Sequence, residues 1–376
     1  MPSCLYGSRG LTLASGHGGL VTDAAGREYV DFFTAHGSAL FGHTHPRLVN
    51  ALAGAAERPW TIGMGFDDDI RTTLMQRFGN LLPDGRAYLC NSGTEAIEAA
   101  LKLVAVLRPE RRRILALRRG FHGRTLGALS LTFNPHYRRP FQPLLFNVEH
   151  HVPENLPGVI DETVAAVFIE PVQGEGGVHP LNPALGLEIS AASQKTGALV
   201  VADEVQSGFG RCGAMLASAL TGLAADIVCL AKGVAGGLPV GVTVWKGCLG
   251  DFPQGSHGST YGGNPLVCRV AYEALSILDE ESLPEKARTL GESFRARLEA
   301  IDSPTLKGVR GLGLLVGVQV EGRSAPLVRA LQQRGVLALP AGPNVVRFLP
   351  SFAAEPAHFQ RAAETLEDVL ALENPE

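Results

Sequence analysis

Between about residues 70 and 245 the chain carries short apolar runs that do not alternate with polar residues. The clearest are "RAYLC" (86–90), "RILAL" (113–117), "AAVFIEP" (165–171), "GALVVADE" (197–204), "DIVCLAK" (226–232) and "VGVTVW" (240–245). Unbroken apolar runs suit strands covered on both faces, as in parallel sheets. Between them, "TEAIEAALKLVAVL" (94–107) and "PALGLEISAASQKTG" (183–197) place apolar residues at helical spacing. Strands separated by helices predict an open α/β sheet with mostly parallel strands.

The two ends read differently. "GGLVTDAAGREYVDFF" (18–33) predicts a small hairpin turning at Asp23–Gly26, and "HPRLVNALAGAAERP" (45–59) predicts a helix ending before Pro59. After residue 265 come helices in "PLVCRVAYEALSILDEE" and "LPEKARTLGESFRARLEAI". Strands follow in "VRGLGLLVGVQV" (309–320) and "VVRFLPSF" (345–352), and "PAHFQRAAETLEDVLALE" (356–373) closes as a helix. The pattern divides the chain into an N-terminal segment (1–55), a large α/β domain (56–265) and a smaller α+β domain (266–376), to which the first segment belongs.

Composition narrows the function. A chain of 376 residues can bury a large core. A net charge of −4 supplies no basic field for nucleic acid. The six cysteines include no CxxC pair, which predicts reduced thiols and a cytoplasmic protein. The tandem His150-His151 and the "GHTHP" turn (42–46) lack zinc spacing, so they read as surface or turn residues and no metal is expected. No signal-peptide pattern opens the chain, and no run approaches the ~20 apolar residues that span a bilayer.

Four stretches carry chemistry. "CNSGTEAIEAALKLV" (90–104) is a strand–turn–helix junction in which Ser92 and Glu95 have capping-box spacing; Ser92, Gly93 and Thr94 could cradle a phosphate at the helix start. Asp203 ends an apolar run, where open α/β sheets bind ligands, and a carboxylate there needs a cationic partner. "GFGRCG" (208–213) matches the dinucleotide fingerprint literally, but five residues separate it from its strand, which argues against a nicotinamide site. Lys232 also ends a strand, in a chain with six lysines among 33 basic residues; it reads either as a snorkelling side chain or as a desolvated nucleophile. Glu170 and Glu175 in "EPVQGEGG" are too loosely placed to read as an acid/base pair.

The ordered series "NSGTEA", "FHGRT", "EPVQGEGG", "DEVQSGFGR", "LAKGVAGGLPVG", "HGSTYGGNPL", "RGLGLLVG" and "VVRFLPSF" resembles the class III pyridoxal-phosphate aminotransferases, over about residues 10 to 370. Acetylornithine, ornithine and carrier-protein-linked lysine aminotransferases are the nearest relatives. The resemblance implies the fold-type I transferase architecture, a large domain with a mixed, mostly parallel sheet plus a small α+β domain. It implies pyridoxal phosphate bonded to Lys232, with Asp203 facing its ring nitrogen, Val205 and Gln206 beside the ring and Phe121 stacked on it. Ser92, Gly93 and Thr94 match its phosphate cup. Thr260, beside Ser259, matches a residue that reaches in from a second subunit, which implies a homodimer. Arg124 and Arg347 match carboxylate-binding arginines, and Glu175 matches a glutamate that releases Arg347 when glutamate enters.

The implied activity is transfer of the terminal amino group of an N-acylated diamino acid to 2-oxoglutarate, in lysine or arginine biosynthesis. His36 stands where ornithine aminotransferases carry a tyrosine, which argues against plain ornithine; an ornithine or 4-aminobutyrate-type enzyme is the alternative. "RPERRRILALRRG" and "YRRP" could form a basic face for a small acidic carrier protein, or simply a solvated surface.

Overall fold

The computed structural model describes residue 5 and residues 7–372. Its centre is a seven-stranded sheet in the spatial order Arg86–Cys90, Gly241–Trp245, Ile227–Leu230, Leu199–Asp203, Val164–Ile169, Arg113–Leu117, Glu149–His151. Only Gly241–Trp245 runs against its neighbours; the other pairings are parallel. Every residue of the four strands from Gly241–Trp245 to Val164–Ile169 is buried. That is why their sequences are continuously apolar. The helix Gly93–Leu107 lays Ala96, Ile97, Ala100, Leu103 and Val104 against Phe168, Val201 and Ile227 on one face of this sheet.

The edge strand Glu149–His151 escapes the hydrophobic pattern. It is only half-buried, so it needs no apolar run, and Arg113 holds it through Glu149 at 2.7 Å. The tandem histidines therefore lie in a strand and not in a turn; His150 bonds the Leu131 carbonyl at 2.9 Å.

The hairpin near the N-terminus forms between Leu20–Asp23 and Glu28–Asp31. The Asp23 carboxylate accepts the N–H groups of Ala25 and Arg27, closing the turn. Glu28–Asp31 then pairs in parallel with Val336–Leu337, so distant ends of the chain share a sheet. A second antiparallel sheet joins Leu306–Leu312, Leu315–Val320, Val345–Phe348 and Leu339–Ala341. The stretch 309–320 is thus two strands rather than one. Leu312 faces Leu315 across a tight turn in which Gly313 adopts φ 50°.

"GFGRCG" is a structural turn. Phe209 and Gly210 are left-handed, with φ 55° and 85°. Fully buried Arg211 donates to the carbonyls of Gly37, Leu314 and Pro350, tying both chain ends to the large sheet. Among the described residues the free cysteines are Cys90, Cys212, Cys229, Cys248 and Cys268; Cys4 lies outside them. No helix among the described residues is long and apolar enough to cross a membrane.

Candidate active site

Asp203 and Lys232 close two neighbouring parallel strands, in which Asp203 stands opposite Cys229. Lys232 takes a left-handed φ of 47° and opens a 3₁₀ turn to Ala235, followed by left-handed Gly236 and Gly237. This bend turns the lysine out of the strand and into a cavity of about 390 Å³ at the carboxyl ends of the parallel strands. Ser92, Gly93, Thr94, Phe121, Arg124, Glu175, Asp203, Val205 and Gln206 line the same cavity. Burial pushes the Lys232 amine down to about 8, the Arg347 charge adding to this and Glu175, Asp203 and Glu170 opposing it. An appreciable unprotonated fraction is thus available near neutral pH, as a nucleophilic amine needs.

The helix Gly93–Leu107 begins at the cavity wall. The Ser92 hydroxyl accepts the Glu95 N–H at 3.3 Å. The Glu95 carboxylate reaches back to the N–H of Asn91 at 2.5 Å, one residue earlier than a standard capping box. A Cβ on Gly93 would stand 2.7 and 2.9 Å from the Val205 methyls, so only glycine fits between the helix start and that side chain. The helix N-terminus with its flanking hydroxyls is suited to an anion.

The partner of Asp203 is His122, from "FHGRT". Its Nδ1 lies 2.8 Å from Asp203 Oδ2, and the other carboxylate oxygen accepts the Val205 N–H at 3.1 Å. Burial alone would lower the His122 pKa, but the hydrogen bond and charge of Asp203, with Glu170 nearby, raise it. Buried Glu170 accepts the backbone N–H groups of Phe121 (2.8 Å) and Gly174 (3.2 Å), and burial pushes its carboxyl up to about 7. His122 and Glu170 also line the cavity, and the sequence alone assigned neither a role. Their signal was a histidine beside Phe121 and a carboxylate at a strand end.

Arg347 is completely buried. It donates to Glu175 Oε1 at 2.6 Å and to Gln206 Oε1 at 2.9 Å, and Gln206 in turn donates to the His36 carbonyl at 3.3 Å. Burial opposes ionisation of Glu175, but Arg347 outweighs it and holds the carboxyl below its usual range. Arg347 lines a second cavity of about 650 Å³, with His36, Arg119 and Tyr137. Phe121 and Glu175 belong to both cavities, so the two adjoin. The Arg124 guanidinium lies 3.5 Å from the Tyr137 ring centre and 5.5 Å from that of Phe121.

Two predicted residues stand apart. Ser259 and Thr260 do not line the cavity of their own chain, and Thr260 is exposed. Ser259 accepts from Asn91, which does line it, at 2.9 Å. The arginine-rich stretch also divides. Arg108 bonds the Gly197 carbonyl and Arg113 pairs with Glu149 and Asp161, at the opposite end of the strand from the cavity. Arg119 stands at the second cavity, and Arg138 and Arg139 bound a smaller one that shares Pro135 with it.

A family model described as "Aminotransferase class-III" matches residues 7–370. The chain is 39% identical, over 99% of its length and 89% of the relative's, to LysW-aminoadipate semialdehyde transaminase of Deinococcus radiodurans. It is 39% identical to acetylornithine aminotransferase of Mycolicibacterium smegmatis, over 92% of this chain and 90% of that one. Among solved structures, ornithine aminotransferase of Toxoplasma gondii superposes with a TM-score of 0.92 at 30% identity, covering 98% of this chain and 91% of that one.

Proposed function

The chain belongs to the class III aminotransferases, and from that premise we propose that it moves the terminal amino group of an N-acylated diamino acid to 2-oxoglutarate. It is a pyridoxal-phosphate-dependent transaminase, and the donor set around the cavity fits that cofactor. A helix start with free N–H groups suits a phosphate, a buried carboxylate suits a protonated ring nitrogen, and an amine with depressed pKa suits an aldehyde. When bound, pyridoxal phosphate supplies that aldehyde and a ring that accepts the electron pair released as the substrate's carbon–hydrogen bond breaks.

Each role falls to a residue of this chain. Ser92, Gly93 and Thr94 would hold the phosphate. Asp203, held by hydrogen bonds from His122 and the Val205 N–H, would face the ring nitrogen. Phe121, Val205 and Gln206 would flank the ring. Lys232 would anchor the aldehyde carbon, and its amine, free once substrate binds, would hold the proton moved in the transfer. Arg124 takes the carboxylate of the acylated amino acid, and Arg347 takes a carboxylate of 2-oxoglutarate; a planar guanidinium can bind either bidentately.

The observation that carries the reading is the Arg347–Glu175 pair beside Lys232. A pocket that must accept an apolar chain in one half-reaction and a dicarboxylate in the other needs a buried cation that can be masked. Glu175 masks Arg347 while the diamino donor is bound and yields it to 2-oxoglutarate. The names of the Deinococcus and Mycolicibacterium relatives support a carrier-linked aminoadipate semialdehyde or acetylornithine role. One methylene changes binding by only about 1–3 kcal/mol, so both chain lengths are compatible with one pocket. The test is a donor panel of N-acetylornithine, N-acetyllysine and carrier-linked lysine with 2-oxoglutarate. An acylated donor should exceed free ornithine in kcat/KM, and Lys232→Ala should abolish turnover and the visible absorbance of the bound cofactor. Preference for free ornithine would refute the substrate assignment.

A further inference from the structure

The motif "RGLGLLVG" (310–317) supplies none of the residues given a role above. Its two ends meet in the folded chain. Arg310 faces Gly317 across the hairpin, and Gly317 faces Arg347 on the next strand. Directly paired residues share a sheet face. Arg310 and Arg347 therefore project from the same side, roughly 10 Å apart at two strand spacings, with a glycine between them.

The loop that carries Glu175 lies on this row. Arg310 Nε donates to the carbonyls of Gly177 and Val178, each at 2.9 Å, and Nη2 donates to Gly177 at 2.7 Å. Val178 is fully buried in a left-handed conformation, φ 55°, which a β-branched residue seldom adopts. A Cβ on Gly317 would stand 2.7 Å from Val178 Cβ and 2.9 Å from its Cγ2. Gly317 is therefore the seat for the Val178 side chain. Upstream, the Glu175 carbonyl accepts the Gly342 N–H at 3.0 Å, and the Glu175 carboxylate meets Arg347. Gln319 steadies Arg310 from its own sheet at 2.7 Å.

We propose that Arg310 and Gly317 are positioning residues that clamp the backbone of the 174–179 loop, so that exchange of Glu175 for a substrate carboxylate on Arg347 is confined to the Glu175 side chain. Neither residue lines the cavity that holds Lys232. The loop cannot retreat as a unit, because its strained turn is held by Arg310 and seated on Gly317. Glu175 thus masks Arg347 whenever no substrate carboxylate is present. Loosening the clamp weakens the mask, which favours 2-oxoglutarate and penalises the donor with the apolar chain. The inference rests on the reading of Glu175 as a switch.

The test measures each half-reaction separately in the holoenzyme, with the best donor of the panel above, and takes the ratio of the two kcat/KM values. Glu175→Ala sets the reference. Arg310→Met and Gly317→Ala should move the ratio in the same direction by about threefold to tenfold, mainly through KM. Arg310→Met should add nothing in a Glu175→Ala background, and amide hydrogen exchange in 174–179 should accelerate in Arg310→Met. A ratio that stays fixed in Arg310→Met while Glu175→Ala moves it, or unchanged exchange, overturns the clamp. A fixed ratio in Glu175→Ala with accelerated exchange in Arg310→Met overturns the switch reading instead and supports the anchoring.

Discussion

His122 shows how one side chain sets the chemistry of another. It is buried, and its hydrogen bond orients the carboxylate. Because the folded state raises the His122 pKa, the pair adds stability that is complete below the unfolded value near 6.5 and fades as pH rises through the elevated one. Asp203→Asn should therefore destabilise the cofactor-free protein by about 1–3 kcal/mol at low pH, with the difference shrinking as pH rises. Urea unfolding from about pH 6 upward checks this; a difference independent of pH would contradict it.

At the scale of elements, the helix start at Gly93 and the turn before Gly37 show backbone shaped for a site. Thr34, Ala35 and His36 all carry positive φ, at 42°, 48° and 59°. Such residues cost about 1–2 kcal/mol each in isolation. Asp31, accepting the N–H groups of Phe33 and Thr34, and Gln206, bonding the His36 carbonyl, hold them there. Two glycines offer a comparison. Gly54, within the helix Pro46–Ala56, has open space around its missing Cβ, whereas Gly93 abuts Val205. Gly54→Ala should stabilise by up to about 1 kcal/mol through helix propensity. Gly93→Ala should lose about 1–3 kcal/mol to overpacking and bind pyridoxal phosphate about tenfold more weakly, since Val205 also lines the cavity. Thermal melts and cofactor titration of both variants test the contrast. Equal behaviour would remove the steric argument.

For the whole molecule, the question is what completes the site. Exposed Thr260 and partly covered Ser259 sit outside their own chain's cavity, within reach of Asn91 through one hydrogen bond. If Thr260 serves the cavity of a second copy, Lys232→Ala and Thr260→Ala chains should complement. A mixed dimer has one site with wild-type Lys232 and wild-type Thr260. Mixing the two proteins after dissociation should raise activity above that of either alone. Activity no greater than the average of the two parents would count against a shared site.

Much of this was legible in the sequence because its cause is local. Strands of a sheet covered by helices are largely apolar, and the runs at 86–90 and 113–117 mark their strands to the residue. Cap chemistry marked the helix start at Ser92, and strand-end placement singled out Asp203 and Lys232. The ordered motifs added the family and with it the candidate roles. What the sequence left open depends on residues far apart along the chain. His122 meets Asp203 across 81 positions, and Glu175 meets Arg347 across 172. Nothing in local spacing encodes such meetings. The edge strand at Glu149 has no apolar signature because its residues are only half-buried. The arginines of "RPERRRILALRRG" look alike in sequence, yet a strand lies between those tied down at its start and Arg119 at the cavity. The link from Arg310 through Gly317 to Arg347 exists only because sheet register places three residues in one row. Sequence determined which elements form and which side chains carry chemistry; tertiary structure decided which of them face one another, since register and packing join distant residues.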